Sequence, residues 1–298
     1  MHVLRAILFM TASMACLALS DLFIKLSAQA MPPGQVMFLL STGGTIVFVA
    51  MAVLRRVPIL TRLFWHPLVM WRNGCEVLAA LGLVTGIAWT PLPMVAAIMQ
   101  TTPLLVTLGA ALFLGETVGW RRWCAILAGL VGMLLVIRPG LEGFEPSALL
   151  VVVGACGLAG RDLLTRLAPA RIDSLTLSTW GFAAVIPAGL ILMLAMGPVA
   201  ATDPGAYGFV ALAVIVTTGG YYLVTAAMRL APAAVVSPFR YSRLVFTMAL
   251  GVLVLGDRPD TLTLTGAAII LAAGLYSFFR ERRIASDIGA AAVPGGPV

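Results

Sequence analysis

The chain has 298 residues, of which 61% are hydrophobic and 10% charged, and it carries a net charge of +7. Soluble domains carry about 25% charged residues, so the composition excludes a water-soluble globule and points to an all-α integral membrane protein. The positive charge would suggest a nucleic-acid partner in a soluble chain; here it is expected to set topology, with the lipid bilayer as partner and no nucleic acid.

A membrane-crossing helix takes about 20 apolar residues, and ten such runs follow one another at 4–25, 34–54, 68–89, 93–114, 121–138, 147–168, 175–196, 207–228, 233–255 and 262–279. They are too long, and too weakly alternating, for barrel strands. The first span has the form of a signal peptide, with Arg5 before an apolar stretch and Ala28-Gln29-Ala30 as a cleavage site. Asp21 and Lys25 interrupt that pattern, so the span is expected to stay. Their spacing of four places both on one helix face, either as a local ion pair or with the Lys25 ammonium offered to a substrate carboxylate or phosphate.

On the third span, Asn73 and Glu76 share a face, and Glu76 is a candidate carrier of a coupling proton. Trp89 at its outer end and Trp180 on the seventh span read as belt or packing residues. The fourth span carries Gln100-Thr101-Thr102-Pro103, hydrogen-bonding groups beside a proline that frees a backbone carbonyl near mid-membrane. The 142–147 stretch joins two halves, and Asp162 on the sixth span is an acidic partner for an arginine elsewhere.

The eighth span holds Thr217, Thr218, Tyr221, Tyr222 and Thr225 near its middle, where tyrosine is uncommon. Thr218, Tyr221 or Tyr222, and Thr225 are expected to form a cavity wall. On the ninth span, Arg240 and Arg243 lie about 12–16 Å from its start at about 1.5 Å per residue. That depth demands an anionic ligand, a carbonyl or an acid. Arg240 is expected to meet a ligand and Arg243 to pair with Glu76 or Asp162.

Residues 92–116 return in altered form as 233–257, each copy ending in Gly plus a carboxylate, Gly115-Glu116 and Gly256-Asp257. At this offset of 141, Gln100 corresponds to Tyr241 and Met99 to Arg240. Equivalent spans are five apart, an odd number, so the second half is expected upside down. The expected architecture is therefore an inverted 5+5 repeat around a central cavity, with halves 1–141 and 142–285 and a disordered cytoplasmic tail 286–298. Of 19 Lys and Arg, three (Lys25, Arg138, Arg258) fall on the outer side and two within a span, leaving fourteen inside and both termini cytoplasmic. The 4 cysteines lie in spans without metal spacing and read as packing residues; no metal is expected.

Ten spans in two halves, the Gly-acid ends of spans four and nine, Lys25 in the first span and the small-residue last span Gly266–Gly274 together resemble the drug/metabolite transporter superfamily, in its ten-helix EamA-like branch. The likeness extends over almost the whole chain. It implies a secondary carrier without enzyme activity or cofactor, with a cavity lined mainly by spans one, three, four, six, eight and nine. The expected cargo is a small polar metabolite, amino acids or derivatives first, moved by alternating access with export favoured. Phe239 to Arg243 is similar to members linked to S-adenosylmethionine uptake, so uptake or exchange of that or a nucleotide-type metabolite is the alternative.

The expected substrate contacts are Lys25, Gln100, Thr101, Tyr221, Tyr222, Arg240 and Tyr241. Coupling or structural ion pairs are expected among Asp21, Glu76, Asp162 and Arg243. An integral-membrane transferase is the alternative from another class, but His2 and His66 sit at terminal or loop positions and no carboxylate pair or phosphate loop accompanies them. The expected setting is a bacterial inner membrane, as monomer or homodimer.

Overall fold

In hydrocarbon no water meets the backbone, so each apolar run closes its hydrogen bonds locally as a helix. A computed structural model of the chain describes the backbone of residues 2–116, 119–169, 171–197, 204–231 and 233–291, and their side chains except at 229, 233, 234, 237 and 279–291. Its helices are α1 (His2–Ser27), α2 (Pro33–Leu54), α3 (Pro67–Trp89), α4 (Leu92–Met99), α5 (Thr102–Phe113), α6 (Trp120–Ile137), α7 (Ala148–Leu167), α8 (Ser174–Met196), α9 (Pro204–Leu230), α10 (Ala233–Val236), α11 (Ser242–Leu255) and α12 (Thr261–Ala291). Among the described residues these supply ten spans long and apolar enough to cross a membrane.

Proline in the first turn starts α2, α3, α4 and α5, where its missing N–H costs nothing. The fourth span is thereby split into α4 and α5, and the ninth into α10, a 3-10 turn over Ser237–Tyr241, and α11. α12 runs on to Ala291, so residues 286–291 of the tail expected to be disordered are helical. Residues 292–298 lie outside the described residues.

The two halves interleave about a pseudo-two-fold axis. α1 packs on α9 and α3 on α7, which exchanges spans one and eight for six and three; α2 packs on α8, α6 on α12 and α4 on α11, each a span against its own equivalent. α6 and α12 cross at Gly132 and Gly266, where a methyl on Gly132 would lie 2.9 Å from the Gly266 carbonyl oxygen. Small residues at such crossings let backbones touch. Helices alternate in direction, which defines an N-terminal face, where α1 begins, and a far face, where it ends.

The buried apolar core differs between these faces. Toward the far face one continuous cluster joins Leu22 and Ile24 of α1, Ile87 of α3, Leu92 to Met99, Val136 and Ile270. Toward the N-terminal face the core divides into a cluster of α1, α9 and α10 around Met10, Met14 and Val236, and another around Val69, Leu177 and Trp180. A gap is left between them.

Candidate functional site

That gap is the mouth of a chamber of about 700 Å³, lined from Asp21, Gln100 and Tyr241 at mid-span to Glu116, Arg166 and Phe278 near the N-terminal face. The broken spans form its floor. Gln100 sits in the break between α4 and α5, and its Nε2 donates to the backbone oxygen of Tyr241, 3.4 Å away in the matching break. These residues are 141 apart, so the two equivalent breaks meet at the pseudo-two-fold axis. The Tyr241 ring fills space that Gly274 leaves without a side chain. Arg240 lines the chamber, exposed to it, and its guanidinium makes no ion pair or hydrogen bond to a described residue.

Thr101 is turned away: it is fully buried, and its hydroxyl donates to the Ile98 oxygen at 2.6 Å. Thr102 and Pro103 take the place on the wall.

Of the two readings of Asp21 and Lys25, the local ion pair does not form, and Lys25 does not reach the chamber. Asp21 turns inward and accepts from Arg243 on both oxygens, Nη2 lying 2.8 Å from each and Nε 3.3 Å from Oδ2, with Thr247 at 3.4 Å. This replaces the pairing of Arg243 with Glu76 or Asp162, which lie nearer the N-terminal face. Lys25, in the last turn of α1, reaches outward. Its ammonium donates to the oxygens of Ala88 at 3.2 Å and Thr90 at 2.8 Å, carbonyls left open and partly negative where α3 ends. It does not line the chamber.

Glu76 is held by two arginines, Arg72 at 3.2 Å and Arg161 at 3.3 Å. Arg161 also binds Asp162 at 2.7 Å and donates to the Tyr221 hydroxyl at 2.9 Å. Arg72 is locked further by the Leu177 oxygen and the Asn73 side chain, each at 3.1 Å. Tyr221 stands on the chamber wall with Phe48 and Phe182 set edge-on against it. Tyr222, one residue and about 100° further round the helix, points outward beneath Arg55. The wall face of α9 is Thr217, Tyr221 and Val224, while Thr218 bonds to its own helix and Thr225 is exposed. Trp180 packs on Phe64 and donates to the Ile59 oxygen at 3.0 Å, a packing role.

The far end of the chamber is shut by polar bonds. Asp257, after α11, accepts from the Leu92 N–H at 2.9 Å. Gly251 admits the contact, since a Cβ there would meet Pro93, Asp257 and Leu92. Beside it Arg138 pairs with Asp260 and donates to Thr263 at 3.0 Å. The Arg138 bond holds the Asp260 carboxyl down to about 2. At the N-terminal face Glu116 and Arg166 pair with each other at 3.2 Å, 43% and 55% exposed.

The model of the EamA-like transporter family matches residues 4–138 and again 146–279, one match per half. The chain belongs to that family. This EamA-like transporter is 35% identical to the riboflavin transporter of Rhizobium johnstonii, with 72% of each chain covered. It is 26% identical to the S-adenosylmethionine uptake transporter of Rickettsia bellii (67% and 68% covered) and 24% identical to the pseudopaline exporter of Pseudomonas aeruginosa (84% and 87%). A solved crystal structure aligns at a TM-score of 0.60 over 94% of this chain and 98% of that one, at 20% identity, which shows the fold alone. The protein is a multi-pass membrane transporter of small metabolites, not a transferase, and these names do not single out amino acids.

In this transporter Thr217 rather than Thr218 lines the chamber, and two features were not foreseen from the sequence: the Arg72–Glu76–Arg161 network and a second repeat. Asp21-Leu22 with Lys25-Leu26 returns at the same offset of 141 as Asp162-Leu163 with Arg166-Leu167. Extending the offset from span four to span one finds it.

Proposed function

We propose that this transporter carries a neutral or anionic, ring-bearing polar metabolite of the riboflavin kind across a bacterial inner membrane, by alternating access of its two inverted halves. The observation that carries the reading is the charge left over in the chamber. Asp21, Glu76, Asp162 and Glu116 each have an arginine partner, while Arg240 on the same wall has none among the described residues. A guanidinium without a partner among the described residues, on the chamber that Gln100 also lines, suits carbonyl and imide oxygens or an acid. It disfavours a cation.

The volume of about 700 Å³ falls within the range of about 300–1,000 Å³ typical of small-molecule sites. Phe182, Tyr221 and Val185 offer an apolar wall to a flat ring. With the termini cytoplasmic, as the arginine distribution supports, the chamber faces inward. The S-adenosylmethionine relatives are named for uptake and the pseudopaline relative for export; the former support uptake, and export stays as the other direction. The former also favour a second reading, S-adenosylmethionine itself, whose carboxylate would meet Arg240.

Uptake of radiolabelled riboflavin into proteoliposomes tests the choice. The expected result is saturable uptake, absent from empty vesicles and blocked by excess unlabelled flavin more than by S-adenosylmethionine. Movement of S-adenosylmethionine without riboflavin establishes the second reading instead, and movement of neither overturns both.

A further inference from the structure

The two copies of the Asp-Leu-x-x-Lys/Arg-Leu segment end in unlike bonds, and the repeat shows what each lacks. On the far face Lys25 is bonded to the Ala88 and Thr90 oxygens, and Asp257 to the Leu92 N–H. The equivalents at an offset of 141 are Arg166 for Lys25, Glu116 for Asp257, and Arg229, Ala231 and Ala233 for Ala88, Thr90 and Leu92. Arg166 and Glu116 are instead bonded to each other at the chamber mouth. The local geometry of the two acids is otherwise alike. Gly115 and Gly256 both adopt positive φ, +66° and +73°, and the Glu116 and Asp257 amides both reach back six residues, to Ala110 at 3.2 Å and Gly251 at 3.0 Å.

We infer that Lys25 with Asp257, and Arg166 with Glu116, are alternate latches of the transport cycle: the first pair holds the far face shut while the chamber opens at the N-terminal face, and the second takes the equivalent backbone groups at Arg229, Ala231 and Ala233 when the chamber turns over. Each latch is a cation on carbonyls at one helix end and an acid on an amide at the next helix start. Both contacts are charge-assisted; the acid's contact joins spans from opposite halves and the cation's joins two spans of one half. In each open state only one set is made, because alternating access opens one face while the other is shut.

This rests on alternating access but not on the identity of the cargo, so the test uses no substrate. Hydrogen exchange of the purified full chain is followed on the 88–95 and 229–236 segments. Asp257→Asn and Lys25→Met are expected to raise exchange of 88–95 about fivefold or more, the factor that one hydrogen bond of about 1 kcal/mol represents, and to slow exchange of 229–236. Lys25→Arg restores the parent pattern.

Glu116→Gln is expected to slow exchange of 88–95 by removing the competing state. In the present state Glu116 holds only an exposed pair, so this variant folds and carries the test even where Asp257→Asn does not. A rise confined to 88–95 with 229–236 unmoved makes Asp257 a static cap and overturns the inference. Glu116→Gln with the parent's exchange at 88–95 overturns it as well.

Discussion

Asp21 and Asp162 occupy the same place in the two halves, yet one crosses the molecule to Arg243 and the other stays with its own neighbour Arg161. Two kinds of asymmetry separate them. One is written in the chain: the position equivalent to Arg243 is Thr102, so the first half offers Asp162 no such partner. The other belongs to the conformation, since Lys25 and Arg166 are both cations with matching backbone targets and only Lys25 has reached them. Chemical asymmetry fixes where a ligand binds. Conformational asymmetry is what a carrier reverses.

The largest effect is expected where the chemical asymmetry is buried. Arg243→Ala leaves Asp21, 5% exposed, as an uncompensated charge, a loss of about 3–5 kcal/mol. Thermal unfolding in detergent is expected to show it, and Asp21→Leu combined with Arg243→Met to recover most of it. If the double variant is as unstable as the single, the pair is not what holds spans one and nine together.

Arg240 is the contrast, a mid-span arginine with no described partner to strand. Arg240→Ala is expected to leave the melting temperature near that of the parent. Riboflavin transport is expected to fall about tenfold or more, given about 1.5–3 kcal/mol for a hydrogen bond to a charged group. Smaller again is the difference between adjacent tyrosines. Tyr221→Phe loses the hydroxyl that receives Arg161 and is expected to weaken substrate affinity about fivefold, for about 1 kcal/mol, whereas Tyr222→Phe binds as the parent does. Reversal of that order would place the wrong face of α9 on the chamber.

The smallest effect lies at the far face. Asp260 is depressed from 3.8 to about 2 by Arg138, so its contribution is complete above about pH 4 and disappears as pH falls toward 2. Its carboxyl is 46% exposed, and screening limits such a pair to about 1 kcal/mol at most. Asp260→Asn is therefore expected to lower the melting temperature slightly at pH 7 and by less at pH 3, measured by the same unfolding assay.

Much of this was legible in the chain. All ten spans fall within a few residues of their apolar runs, because hydrocarbon leaves the backbone no alternative to the helix. Gln100 with Tyr241, and the two Gly-acid ends, were marked by the repeat itself. What could not be read was the partner of each charge. Lys25 meets carbonyls 63 and 65 residues away, a contact set by where α3 happens to end. Asp21 meets Arg243 across 222 residues, and spacing along one helix carries no information about that. Tyr221 and Tyr222 are one residue apart on a helix whose tilt the sequence leaves open.

The central claim is that two inverted halves exchange roles about one chamber. Spin labels at Trp89 and Leu253 on the far face, and at Leu112 and Met228 on the N-terminal face, measure it directly in nanodiscs by pulsed electron resonance, with riboflavin absent and present. The account predicts anticorrelated distances, the far pair lengthening in the population where the near pair shortens. Distances that stay fixed while the same preparation transports, or that lengthen together, would contradict it.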